Sequence, residues 1–103
     1  MPPIQHDTLL VAADDPAVQV DLGTIDRIRG NNAEVWLIIE NQGVNVVSIV
    51  NHDEVAHSAL KIPAGETLLA GPWDRNEEDS PVSLLSLGGA NNCLVTPLTE
   101  GMP

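Results

Sequence analysis

Apolar residues in this chain recur at intervals of two, never at a sustained 3.6, and turn signals interrupt them every few residues. That pattern excludes a bundle of amphipathic helices and directs the chain toward short strands. In "AVQVDL" (17–22), Val18, Val20 and Leu22 share one face while Gln19 and Asp21 take the other, as in a half-buried strand. "EVWLIIE" (34–40) is rich in β-branched residues and too short for a typical helix, so it is read as a central strand between the turn signals "RGNN" and "ENQGVN". After Gly43 the pattern resumes in "VNVVSIV". Residues 34–40 and 44–50 are therefore expected to pair as an antiparallel hairpin.

"VAHSALKI" (55–62) alternates again, with Ala56, Ser58, Leu60 and Ile62 the more apolar set and His57 and Lys61 expected to face out. "PAG" supplies a turn in which Pro63 presets φ and Gly65 accepts a positive φ. "ETLLAG" reads as another short strand, and "PWDRNEEDSP" (72–81) as a long charged loop. "VSLLSL" and "CLVTPL", separated by "GGANN", are expected to close the fold as a final hairpin. Together these segments predict an all-β domain, a small antiparallel β-sandwich or barrel of about seven or eight short strands. Residues 1–16 carry Pro2, Pro3 and "DDP", the composition of an extended N-terminal arm, which leaves 17–103 as a single β domain.

At 103 residues the chain suffices for one core, and with no Phe, no Tyr and two Trp that core must be built from Val, Leu and Ile. Four basic residues against fifteen acidic ones give a formal charge of −11, which opposes binding to nucleic acid or to an anionic membrane surface. The acidity fits solubility and self-repulsion, and equally fits docking onto a basic protein surface or work in a saline medium. The N-terminal stretch lacks the basic and apolar regions of a signal peptide and no apolar run has the length of a membrane span, so a chain made and kept soluble is expected.

No motif carries catalysis. In "NHDEVAH", His52, Asp53, Glu54 and His57 are the best metal-ligand candidates, but the stretch has no HxH or HExxH pattern and reads as a solvated loop running into a strand. Ser48, Ser58, Ser80, Ser83 and Ser86 lie outside any GxSxG elbow, and the acidic pairs Asp14–Asp15 and Glu77–Glu78 lie in polar segments that face water. Gly88 and Gly89 are turn glycines rather than a phosphate cradle. Cys93, the only cysteine, is flanked by Leu94 and Val95 and reads as a buried small hydrophobe. Trp73 has two readings, a cap on one end of the core or an aromatic anchor at an interface. No enzyme and no cofactor is expected.

The strand pair in "AEVWLIIENQGVNVVSIVN", the strand running into "IPAGETLLAGPWD", the charged loop and the closing "VSLLSL" and "CLVTPL" segments resemble, over about residues 33–98, small β-rich structural proteins of tailed bacteriophages. The chain departs from that pattern in "RNEEDSP", which lacks the usual aromatic residue and glycine. The resemblance implies a virion protein, foremost a capsid decoration (cement) protein made in the host cytoplasm, bound outside the head to the major capsid protein, and homotrimeric. Its implied contact residues are Trp73, Asp74, Arg75, Glu77 and Glu78 in the loop, with Ile4, Leu9, Leu10 and Val11 as apolar anchors of the arm. Removing the arm is then expected to weaken attachment and leave the domain folded. Other readings are a head-tail connector or tail component, a cupin-like metal- or carbohydrate-binding β module using His52 to His57, and, without any residue constellation behind it, a hydrolase.

Overall fold

The computed structural model describes residues 4–21, 34–51, 56–74 and 82–99, and these residues form nine strands and no helix. Strands β1 (Ile4–Gln5), β2 (Leu9–Ala13), β4 (Glu34–Asn41), β7 (Thr67–Asp74) and β9 (Asn91–Thr99) make one sheet. Strands β3 (Val18–Gln19), β5 (Val47–Asn51), β6 (Ala56–Ile62) and β8 (Val82–Leu85) make the other, in the order β3-β8-β5-β6. In the first sheet β1 and β2 both lie along β9, followed by β4 and then β7, and every ladder is antiparallel. The register against β9 slips by one residue between Gln5↔Leu98 and Leu9↔Val95, so β1 and β2 are one strand interrupted by a bulge. His6 stabilises that bulge: its backbone N–H donates to Pro97 and its buried ring meets the Thr99 hydroxyl at 2.9 Å.

The pairing is nested. The first strand pairs the last, β3 pairs β8, β4 pairs β7 and β5 pairs β6. A chain paired in this way is one long hairpin folded over on itself into two layers, which is the jelly-roll form of the β-sandwich. Alternation along the strands aims the buried faces inward: Val35, Leu37 and Ile39 of β4, Val47 and Ile49 of β5, Val82 and Leu84 of β8, and Cys93 and Val95 of β9 are wholly buried. Each fully buried Leu or Ile contributes about 1.5–3 kcal/mol, so these aliphatic faces hold the layers together in the absence of Phe and Tyr.

Three local expectations are corrected. Residues 34–41 and 47–51 do not form a hairpin, because β4 pairs β7 and β9 while β5 lies in the opposite sheet. A hairpin stays in one sheet through a tight two-residue turn, whereas here five residues, 42–46, carry the chain across the core as an arch. The closing pair behaves likewise: β8 and β9 belong to different sheets and residues 86–90 form the arch between them. Period-two alternation reports which face of a strand is buried and says nothing about which sheet holds it. The "PAG" turn exists, with Gly65 at φ 80° and Glu66 N–H donating to Pro63 O, but it too joins one sheet to the other.

The N-terminal arm is the second correction. Residues 4–13 are an integral edge strand, with Val11 and Ala13 in the hydrophobic core, because "LLVAA" supplies the alternation that β9 needs on its open side. The third concerns "GPW". Gly71 to Asp74 continue β7 and pair β4 through Val35↔Trp73 and Glu34↔Asp74, so Pro72 to Asp74, expected to begin the charged loop, prolong the strand through a bulge. Gly71 has φ 136°, and a Cβ there would stand 2.9 Å from Val35 O and 3.0 Å from Trp36 Cα. Gly71→Ala is expected to lower stability by about 1–3 kcal/mol in a denaturant titration, since both the backbone conformation and the space require glycine.

Cys93 is buried as expected, and burial raises its pKa above the ordinary thiol value, partly offset by a contact from Asn91. A raised folded-state pKa contributes stability that is complete below the unfolded thiol's value of 9.0 and is lost as pH rises through the folded-state value. At pH 8 the native protein is expected to resist thiol-specific reagents until denaturant is added. Prompt modification of the native protein would show that the core is open at β9.

Candidate interaction surfaces

The arches 42–46, 63–66 and 86–90, together with the β2–β3 connection at 14–17, gather at one end of the sandwich, where two buried asparagines and Ser86 tie them together. Asn41 Nδ2 donates to Asn45 O at 2.7 Å and to Ile62 O at 2.8 Å, while its Oδ1 accepts from Gly43 N–H at 3.0 Å and from Asn91 Nδ2 at 2.7 Å. Asn91 Oδ1 in turn accepts from Asn45 N–H at 2.9 Å. The backbone adds Asn41 N–H to Glu66 O, Gly65 N–H to Asn41 O and Gln42 N–H to Asn92 O. Ser86 donates its hydroxyl to Gly89 O at 2.6 Å and its N–H to Asp14 O at 3.0 Å. Each donor and acceptor here would cost free energy if buried alone, and the network satisfies them jointly.

Glycine makes this packing possible. A Cβ at Gly43 would overlap the Asn91 side chain, and one at Gly88 would lie 2.6 Å from Asn45 Oδ1. The frame presents Val44, Val46 and Leu87 to solvent, at 89%, 52% and 76% exposure, on loops tied down by these hydrogen bonds. Asn41 and Asn91 received no role in the sequence reading, where each is one of several asparagines in turn-forming stretches. The available signal was their position beside the apolar alternation of β4 and β9, at strand ends that prove buried.

The expected contact residues separate into two groups. Leu9, Leu10 and Val11 lie on β2, where they line a groove of about 280 Å³ with Ala12, Val18, Gln19 and Asp21. Leu10 is 67% exposed and Leu9 half-buried; Val11 packs into its own core and so is not an anchor for a neighbour. Ile4, half-buried, pairs Thr99 further along the same edge. Trp73 and Asp74 belong to β7, the opposite edge of that sheet, three strand spacings or roughly 14 Å away. Arg75, Glu77 and Glu78 lie outside the described residues, as do His52, Asp53 and Glu54. The backbone of His57 is in β6. Among the described residues no three His, Cys, Asp or Glu side chains are grouped to hold a metal ion.

Compared with family models, curated proteins and solved structures, the chain matches none.

Proposed function

We propose that this chain is a non-enzymatic virion structural protein, a capsid decoration protein that binds the outer surface of a phage head and stabilises contacts between capsomers. The observation that carries this reading is the placement of its chemistry: the described interior is aliphatic apart from Cys93, the asparagine network with Ser86 and the His6–Thr99 pair, while exposed large apolar groups lie on the edge strands, at Leu10 and Leu69, and on the loops, at Val44, Val46 and Leu87. A module so built works by contact area. The opposite edges of one sheet, at β2 and β7, suit a protein that bridges two neighbours, and the jelly roll is a form that capsid proteins use, an analogy of fold that lectins and cupins share. A formal charge of −11 favours a basic protein surface over packaged DNA.

Quantitative mass spectrometry of purified phage particles tests the proposal. It is expected to find the chain in hundreds of copies, removable without release of DNA-bound protein; about a dozen copies or fewer would assign it to a connector or the tail, and its absence from particles would refute a virion role. Native mass spectrometry of the isolated protein is expected to give a metal-free trimer. A monomer holding a stoichiometric metal would instead support a binding module built on His52 to His57.

A further inference from the structure

We infer that the β2 edge is a strand-accepting site for an extended partner segment with alternating apolar residues flanked by Lys or Arg. The inference concerns how this edge binds and does not depend on the partner being a capsid subunit. Its first support is backbone direction. Gln42 N–H donates to Asn92 O, so Asn92 turns its polar backbone toward β4, and Asn91, Cys93 and Val95, one residue out of phase, turn theirs toward β2. Val11, opposite Cys93, is therefore hydrogen-bonded to β9, and Leu10 and Ala12 direct their N–H and C=O away from the sheet. No described strand lies on that side.

The second support is the absence of the usual protection. Edge strands are normally shielded by proline, lysine, bulges or brevity. Among the described edges, β7 carries Pro72 and a bulge, β6 carries exposed Lys61 and faces an irregular register in β5, and β3 is two residues long. The bulge of this edge lies before β2, between Gln5 and Leu9; "LLVAA" itself carries no proline, lysine or bulge and pairs β9 without interruption from Leu9 to Ala13. Leu10 and Ala12 are exposed on its outer face, and the adjoining groove reaches Val18 across the gap between the sheets.

Charge selects the occupant. Asp7 and Asp15 are exposed around this edge and Asp14 is half-buried, while no Lys or Arg precedes Arg27. A second copy added antiparallel about Val11 would place Asp7 opposite Asp15, so self-pairing is opposed by like charge. A segment with basic flanks gains the reverse. Main-chain hydrogen bonds to Leu10 and Ala12 would supply affinity and the acidic surround would supply selectivity.

The test uses the full chain, labelled with nitrogen-15, and three blocked peptides: Lys-Val-Thr-Val-Thr-Val-Lys, the same with Glu for Lys, and the basic one with proline at its central valine. The basic peptide is expected to shift the amides of Leu9 to Ala13 saturably and to weaken with added salt, and the other two to bind far less. Leu10→Lys, a change at an exposed side chain, is expected to reduce affinity by about tenfold or more with the melting temperature unchanged. Ala12→Pro removes the outward donor on an edge that tolerates proline and is expected to do the same. The inference is overturned if no saturable shift occurs at β2, if shifts map to β7 or the arches, if acidic and basic peptides bind alike, or if both variants bind normally.

Discussion

Asn41→Ala is expected to lower stability by about 3–5 kcal/mol, because the removed amide leaves Asn91 Nδ2, Gly43 N–H and the carbonyls of Asn45 and Ile62 short of partners in a buried place. For a domain of this size that corresponds to a fall in Tm of roughly 15–25 °C. The neighbouring Asn92 is exposed, and Asn92→Ala is expected to change stability by less than about 0.5 kcal/mol, so the pair of variants separates the network from a general effect of losing an asparagine. Urea titration of both measures it. A loss at Asn41 no greater than at Asn92 would mean that water satisfies those groups and that the arches are not held by the amide.

The second large effect concerns the N-terminus. Removing residues 1–13 is expected to cost on the order of 5 kcal/mol or more, comparable with the whole stability of many domains, because it takes Leu9, Val11 and Ala13 from the core and strips β9 of one partner strand. The truncated chain should lack a cooperative thermal transition and should associate through the bared β9 edge. The sequence expectation was the opposite, an arm dispensable for folding. Circular dichroism melting of the truncated protein, with its sedimentation profile, distinguishes the two: a monomer melting near the full-length temperature would restore the arm.

What the sequence disclosed and what it withheld follow from the range of each interaction. The inward face of β3 and the end of β6 were legible because alternation is local: Val18 and Val20 face in and Gln19 out, and Ile62 is buried beside exposed Lys61. The central position of "EVWLIIE" was legible too, and β4 does have partners on both sides. Sheet membership was not, since Gly43 and "GGANN" signal a change of direction without stating whether the chain returns beside itself or crosses the core. The deciding groups, Asn41 and Asn91, are fifty residues apart, and their contact becomes visible only once both arches are in place. The edge role of "LLVAA" was obscured by its neighbours, as Pro2, Pro3 and Pro16 suggest an arm while the five residues that matter pair with β9 at the far end of the chain.

The candidate surfaces show the same division. Leu9 and Leu10 were singled out for their apolar character in an acidic segment, and both line the groove, although Leu9, Leu10 and Val11 act from a strand of their own sandwich. Val44, Val46 and Leu87 were not singled out, because an apolar residue next to a turn glycine reads as the start or end of a strand. Their exposure depends on arches that hold the loop tips away from the core.

The account depends most on residues 4–13 closing the sandwich of their own chain, since both the sealed core and the open β2 edge follow from it. Isotope-filtered nuclear Overhauser spectroscopy on a mixture of labelled and unlabelled protein measures this directly. Close Hα–Hα contacts between Leu10 and Leu94 and between Ala12 and Asn92, opposite residues that do not exchange hydrogen bonds, are expected within one chain and independent of concentration. The same contacts found only between labelled and unlabelled chains, or missing altogether, would contradict it.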